Sequence, residues 1–260
     1  MEISASLVLY KNDPNIVRRA VVSVLDTPLK VNLVIVDNSP TPELSTTFDN
    51  LKNFEIEYFY NQGNNVGFGK AHNLAISKAK NCDYHLVINP DIYFAGNVIL
   101  KLIKYLEENQ DVGLISPKTC LPDGEIIPSV RRYPTVMGLA RNFIPKNLRF
   151  LFKKKIDLYE MRDSGYDQIM EVPAVGGSFM LFRRKCLDEI GYFDENIFLF
   201  LEDFDISWRI FKSGKYKNIF YPHVHIYHLW ERGYYKSPKL AIITVRSAIY
   251  FFSKHGWRLF

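Results

Sequence analysis

Three short runs in this chain carry residue types that catalysis needs. Asn89-Pro90-Asp91 follows the apolar run Leu86-Val87-Ile88, and apolar residues resume at Ile92. Proline ends strands and Asn and Asp favour turns, so the plain reading is a turn. A carboxylate at a strand end can also hold Mg2+ or Mn2+ against a diphosphate, because such ions bind phosphates with only one or two protein carboxylates. Glu202-Asp203-Phe204-Asp205 places three carboxylates in four residues ahead of Ile206, Trp208 and Ile210. That pattern fits a helix start, where the helix dipole favours acids. The run also follows Ile197-Phe198-Leu199-Phe200-Leu201. A carboxylate beside so apolar a segment is partly desolvated, which raises its basicity and suits a general base.

The third run is Gly63 to Asn73, GNNVGFGKAHN. It is neither a Walker A loop nor a dinucleotide fingerprint. It reads either as a flexible loop or as glycines that let backbone N–H groups approach an anion before a helix N-terminus. His223, His225 and His228 lie close together, and strand alternation puts His223 and His225 on one face. Histidines beside an apolar strand serve as structural groups or as ligands. No second His/Cys cluster supports zinc.

Elements that would position these runs are legible in the apolar pattern. Ala5–Tyr10, Leu33–Val36, Ile56–Tyr60 and Leu86–Ile88 read as strands. Asp13-Pro14 reads as a capping residue and first helical position, followed by the apolar face Ile16, Val17, Ala20, Val21 and Val24. A helix is expected from the glycine run through about Ala79, and another around Ile99, Leu102, Ile103 and Leu106. Alternating strands and helices predict an α/β fold with a mostly parallel sheet flanked by helices. Ligands then sit beyond the carboxyl ends of the strands. Lys11-Asn12-Asp13, Asp37-Asn38-Ser39, Asn61–Gly69 and Asn89-Pro90-Asp91 all fall there. In the second half, Gly176-Gly177-Ser178 precedes an apolar strand, and the last 25 residues read as a basic amphipathic helix.

Composition narrows the class. The 260 residues are 47% hydrophobic and 23% charged, which is globular composition with ample apolar residues for a core. A net charge of +5 is too modest to imply nucleic acid, but it suits an acidic partner such as a sugar nucleotide or an anionic membrane. Cys82, Cys120 and Cys186 are dispersed and odd in number, which predicts a reducing compartment. Ile3–Leu9 is too short, and too rich in serine, for a signal peptide. No apolar run is long enough to span a bilayer.

The order of the pieces VIVDNS, NVGFGKAHN, INPD, VGGSFMLFRR and GYFDENIFLFLEDFDISWR, followed by the histidines, resembles family 2 glycosyltransferases of the GT-A fold. Within that family the chain is most similar to bacterial rhamnosyltransferases that build O-antigens and other surface polysaccharides. The resemblance implies an inverting, metal-dependent transfer, most simply of L-rhamnose from dTDP-rhamnose to a lipid-linked glycan acceptor. It gives Asp203 the role of base, with Glu202 beside it. Asp91 would carry the Mg2+ or Mn2+, Asn89 replacing the first acid of the DxD motif, and His228, with His223 and His225 as alternatives, matches an added metal ligand in some members. Asp37 matches the contact to the uracil or thymine base and ribose, with Asn38 next to it. Asn65, Gly67, Phe68, Gly69, Asn73 and Asn89 complete the donor side. Gly176, Gly177 and Ser178 match the acceptor loop. Arg131, Arg132 or Lys236 would meet phosphate charge, whereas Arg209 would pair with a carboxylate of its own helix.

These assignments divide the chain into a nucleotide-sugar half (1–120), an acceptor and catalytic half (121–235) and a basic C-terminal helix (236–260). The basic, apolar segments Phe143–Lys155 and Leu240–Phe260 predict reversible association with an anionic membrane, so the expected location is the cytoplasm or the cytoplasmic face of the inner membrane. Three other readings compete. One is transfer of galactose, glucose or N-acetylglucosamine from a UDP-sugar. Another is a non-catalytic sugar-nucleotide sensor or scaffold, which the intact Asp91 and Asp203 oppose. The last is a nucleic-acid-binding module, which has no recognisable motif here and an acidic cluster against it.

Overall fold

The computed structural model describes residues 2–51, 53–79, 81–141, 144, 146–229 and 238–259. The chain opens with β1 (Ile3–Leu9), α1 (Pro14–Leu25), β2 (Val31–Asp37), β3 (Ile56–Tyr60), α2 (Phe68–Lys78) and β4 (Tyr84–Ile88). The expected start of α1 is present: Asp13 accepts from the N–H groups of Asn15 (2.8 Å) and Ile16 (3.3 Å), with Pro14 in the first turn. Such a cap is worth about 1 kcal/mol. Next come β5 (Ile92–Tyr93), α3 (Val98–Glu108), β6 (Val112–Cys120), β7 (Ile126–Ile127), β8 (Val130–Arg131), α4 (Val136–Ala140) and α5 (Arg149–Tyr159). The chain closes with β9 (Met170–Glu171), β10 (Ala174–Val175), β11 (Phe179–Arg183), α6 (Arg184–Ile190), α7 (Glu202–Ser213), β12 (Lys217–His228) and α8 (Pro238–His255).

One ten-stranded sheet runs in the order β3-β2-β1-β4-β11-β6-β12-β5, with β7 on β6 and β9 on β12. The parallel expectation holds for β3-β2-β1-β4 and for β6 with β12. It fails at β11, which runs antiparallel to both β4 and β6. After β6 the chain stays beyond the carboxyl end of the parallel strands, through the separate β8–β10 pair, and re-enters from that end. With no crossover to the opposite edge, the next strand must run backwards. β6, β11 and β12 share the sheet with β1–β4, so the two sequence halves are built on one framework. The 236 boundary lies outside the described residues, and α8 ends at His255, where Gly256 takes φ +95° and the tail continues without helix.

Alternation in β1 sends Ile3, Ala5, Leu7 and Leu9 to the core shared with α1 and α3. Ser4 and Ser6 point the other way, into a buried polar row. Ser6 Oγ lies 2.7 Å from His72 Nδ1 and 2.8 Å from His85 Nε2, and Ser4 Oγ lies 2.6 Å from His85 Nδ1. Burial pushes the His85 imidazole down to about 3 and holds His72 well below its ordinary value, so both are neutral hydrogen-bonding groups. At the far end of β11, Arg184 Nη1 donates to the Ala79 (2.8 Å) and Ile76 (3.3 Å) carbonyls at the end of α2, and Arg183 reaches the carbonyls of Leu106 and Asn109 at the end of α3. The paired arginines thus cap helices on both faces of the sheet.

Candidate active site

The acidic runs meet beyond the carboxyl ends of the central strands. Asn89 stops β4 by donating its N–H to the Ser178 carbonyl (3.0 Å), and the Asn89 carbonyl accepts from Ile92 (3.3 Å) to close the turn. Asp91 then projects toward the end of β12, where its Oδ2 lies 3.0 Å from His228 Nε2. The Asp91 carbonyl accepts from Leu229 (3.0 Å). Of the three histidines, His228 is the one that meets Asp91. His223 and His225 are exposed, and His225 contacts the Tyr227 hydroxyl at 3.0 Å. Asp91 and His228 bring together one carboxylate oxygen and one imidazole nitrogen, a pair that fits a divalent ion whose other ligands are phosphate oxygens and water. Among the described residues no three His, Cys, Asp or Glu side chains gather into a fuller cage.

The second acidic centre begins α7. Phe200 and Leu201, just before it, take φ of +67° and +72°. Left-handed backbone costs about 1–2 kcal/mol for a residue with a side chain, so surrounding contacts must hold this turn. Asp203 accepts from the N–H of Gly177 at Oδ2 (2.7 Å) and of Phe204 at Oδ1 (2.8 Å). Burial pushes the Asp203 carboxyl above its ordinary value, while the two N–H groups and the Arg131 charge favour the carboxylate. Glu202 is more extreme. It is buried, and Oε2 has no hydrogen-bond partner among the described residues. Burial first, and the Asp203 charge second, push it well above the usual range. Adjacent carboxyls with such different surroundings separate into a protonated and an ionised partner. The stronger upward push on Glu202, and the two N–H groups that favour the Asp203 carboxylate, put the proton on Glu202 ahead of Asp203.

The two centres are bridged by Gly176-Gly177-Ser178. Ser178 accepts from Asn89 on the Asp91 side, and Gly177 donates to Asp203 on the other. A Cβ at Gly177 would lie 3.2 Å from Asp203 Cβ, so the glycine permits the close approach. The glycine run before α2 packs beside the acid segment. Phe68 N–H donates to the Phe198 carbonyl (3.0 Å), tying this run to the segment that leads into Glu202-Asp203. Asn65 Oδ1 accepts from Gly67 N–H (3.0 Å), and Asn38 Nδ2 reaches the Gly67 carbonyl (3.3 Å). Gly67 has φ +90°, and a Cβ there would sit 2.3 Å from the Phe198 oxygen. Gly67→Ala is therefore expected to separate the glycine run from the acid segment. Gly124→Ala supplies the control, since Gly124 has φ +91° with nothing within 4 Å. Both changes should carry backbone strain of about 1–3 kcal/mol, but only Gly67→Ala also drives a Cβ into the Phe198 carbonyl, so it should lower the melting temperature further and weaken nucleotide binding. Equal effects in calorimetry would refute the steric account.

A family model described as Glycosyl transferase family 2 matches residues 7–191. The chain belongs to that family. The matched span of this family 2 transferase ends before Glu202 and Asp203, whose placement rests on the geometry above. The chain is 24% identical to an N-acetylglucosaminyl-diphospho-decaprenol L-rhamnosyltransferase of Mycobacterium tuberculosis, over 96% of this chain and 84% of the relative. It is 30% identical to the rhamnosyltransferase WbbL of Escherichia coli, over 60% of this chain and 58% of that protein. Among solved structures, GalNAc-T7 with UDP, GalNAc and Mn2+ superposes with a TM-score of 0.67 at 20% identity, over 96% of this chain and 50% of that one. A mannosyltransferase from Pyrobaculum calidifontis in complex with GDP-Man and Mn2+ superposes with a TM-score of 0.65 at 16% identity, over 97% and 63%. These neighbours share the GT-A fold: a mixed central sheet flanked by helices.

Several expected positions of the family 2 transferase are engaged otherwise than the sequence suggests. Asp37 has no exposed surface, and its oxygens accept from Ser39 N–H (2.8 Å) and the Tyr58 hydroxyl. These contacts shape the turn after β2. Asn73 spends its amide on both backbone groups of Phe193, donating at 2.9 Å and accepting at 3.0 Å, and so fixes the approach to the acid segment. Gly69 lets α2 close on Phe193, where a Cβ would be 2.9 Å from Phe193 Cβ. Arg132 is exposed and paired with Asp163 at 2.8 Å. Arg131 donates to the Pro128 and Val130 carbonyls, and its Nε is buried without a hydrogen-bond partner. Lys236 lies outside the described residues. Arg209 pairs with Asp205 of its own helix at 2.9 Å, as expected. Tyr58 and Phe198 were not singled out from sequence. Tyr58 could have been found by pairing β3 with β2, which puts it opposite Ile35, two positions from Asp37. Phe198 acts through its carbonyl, which leaves no side-chain signal.

Proposed function

We propose that this family 2 transferase moves L-rhamnose from a dTDP-linked donor to a lipid-linked glycan acceptor, with inversion, in surface polysaccharide synthesis. The observation that carries the reading is the bridge at Gly176-Gly177-Ser178, whose Gly177 N–H bonds Asp203 and whose Ser178 carbonyl bonds Asn89, two residues before the Asp91 that meets His228. The rhamnosyl and lipid-linked parts draw on the names of the relatives, which are rhamnosyltransferases, one of them acting on a diphospho-decaprenol. Three free cysteines fit a reducing compartment, and the cytoplasmic face of a membrane is where we place the reaction.

The chemistry is a single displacement. Asp203 takes the proton of an acceptor hydroxyl. That oxygen forms a bond to the anomeric carbon from the face opposite the nucleotide, and the bond to the diphosphate breaks with its electron pair on the leaving oxygen. Glu202, protonated, adds no second negative charge near the attacking oxygen. Asp91 and His228 would hold Mg2+ or Mn2+, which when bound offsets the charge of the departing diphosphate. Gly67 and Phe68 shape the donor flank, and Asn38 and Asn65 hold that loop.

Incubating purified protein with a panel of dTDP-, UDP- and GDP-sugars and an isoprenoid-diphosphate N-acetylglucosamine, then reading products by mass spectrometry, tests the donor. The expected product is heavier by one deoxyhexose. Preferred transfer of a hexose or N-acetylhexosamine from a UDP-sugar would replace rhamnose in this reading. Binding of donor without turnover of any sugar would favour a sensor or scaffold.

A further inference from the structure

Helix α8 has two faces with different partners. Inward, Ser247 Oγ donates to the Leu199 carbonyl (2.8 Å), and Phe251 and Phe252 pack with Leu201 and Tyr133. Lys254 Nζ reaches both Asp194 (2.6 Å) and Asp205 (2.7 Å), and His255 Nε2 lies 2.7 Å from the same fully buried Asp205. These contacts fall on both sides of the left-handed Phe200-Leu201 turn, whose next residues are Glu202 and Asp203. The helix therefore supplies contacts that keep an unfavourable turn in place.

Outward, Ile242, Val245 and Ile249 are exposed at spacings of three and four, with exposed Lys239 and Arg246 on the same side. Residues 238–260 contain no Asp or Glu. Past the helix, Trp257 is also exposed, stacked on Phe252. There the tail is pinned by hydrogen bonds from Val136 and Met137 to the carbonyls of Arg258 and Leu259. That contact leads through α4 to α5, which exposes Phe150 and Leu151 ahead of Lys153-Lys154-Lys155. Most of the large hydrophobics that the described residues leave exposed lie in these two segments, so they are concentrated there rather than spread over the molecule. Among the described residues no helix is long and apolar enough to cross a membrane.

We propose that the outward face of α8 docks on an anionic lipid surface and that docking tightens the inward contacts that aim Asp203. The occupant follows from charge: aliphatic side chains flanked by cations, with no acid on the segment, complement anionic headgroups over acyl chains. The inference rests on the lipid-linked acceptor reading, because it makes the base most ordered where such an acceptor is found. Ser247, Lys254 and His255 are then positioning residues, acting through Leu199, Asp194 and Asp205.

Vesicles of phosphatidylglycerol and phosphatidylcholine test both halves without any substrate. The full chain should float with them at low salt and release as salt rises. With lipid at about ten times its half-binding level, hydrogen exchange across residues 197–205 should slow by up to about tenfold, the limit mass action sets. The double variant Ile242→Asn and Ile249→Asn should lose flotation while its lipid-free exchange stays as in the parent. Lys254→Gln should still float but show no slowing at 197–205. Flotation without slowing in the parent would overturn the coupling, and no flotation at low salt, or flotation onto neutral vesicles alone, would overturn the docking surface. Neither outcome bears on sugar transfer itself, which the nucleotide-sugar panel decides separately.

Discussion

Asp203→Asn is expected to lower turnover by about 10²–10⁴-fold, the usual contribution of a positioned general base. Asparagine keeps the size of the side chain, and its amide oxygen can still accept from the Gly177 N–H that now bonds Oδ2 at 2.7 Å. What it lacks is an oxygen basic enough to take the acceptor's proton. Donor affinity should survive, because the groups that shape the donor flank lie on the Gly67–Phe68 side and do not bond to Asp203. In the parent, activity should fall as pH drops through the Asp203 pKa, which burial places above the ordinary aspartate value near 3.9. That acid limb should vanish in Asp203→Asn. Measuring kcat at saturating donor and acceptor across pH, with calorimetric donor affinity alongside, decides the matter. A variant with near-parent kcat would remove Asp203 from the mechanism.

Glu202→Gln separates the two acids. The folded pKa of Glu202 is raised, so its stabilising contribution is complete below the unfolded value and is lost as pH rises through the folded value. Replacing it with a neutral amide should therefore raise the melting temperature at pH above the folded pKa and do little at acidic pH. Turnover should fall far less than in Asp203→Asn, because Glu202 is assigned the protonated role. A loss of kcat as large as that of Asp203→Asn would exchange their roles.

How far these features could be read from sequence depends on whether they are local. The cap at Asp13-Pro14, the extent of β3 and the strand stop at Asn89 are decided by residues next to one another, and each is where the pattern puts it. The acids of α7 were legible as a pair because their chemistry is written side by side. The direction of β11 was not, since it depends on where the 121–175 excursion re-enters the sheet. Nor was the state of Asp37, which is set by a Tyr58 hydroxyl 21 positions away. Among three closely spaced histidines, alternation and irregular pairing along β12 decide which one meets Asp91. The β12–β6 register shifts between Tyr221 and His225, so counting by twos from His223 does not identify the face on which His228 emerges.

Asp91→Ala is the second large effect expected, with turnover falling at least about 100-fold and remaining low when Mg2+ or Mn2+ is added in excess. The lower bound follows from outer-shell partners alone, whose removal costs about 10–100-fold in metal affinity or activity; a carboxylate assigned to the ion itself should cost no less. His228→Ala removes only the imidazole nitrogen, 3.0 Å from Asp91 Oδ2, and leaves the hard carboxylate oxygen in place. It should weaken Mn2+ more than Mg2+, since imidazole suits softer ions and Mg2+ prefers oxygen. Its activity should return as Mn2+ is raised, whereas that of Asp91→Ala should not. Paramagnetic resonance of Mn2+ in the presence of dTDP reads binding without catalysis. Parent protein should take up Mn2+ together with the nucleotide, His228→Ala at higher concentration, and Asp91→Ala not at all. Full turnover of the parent in excess chelator would remove the metal from the mechanism and leave Asp91 as the residue that turns the chain at the end of β4.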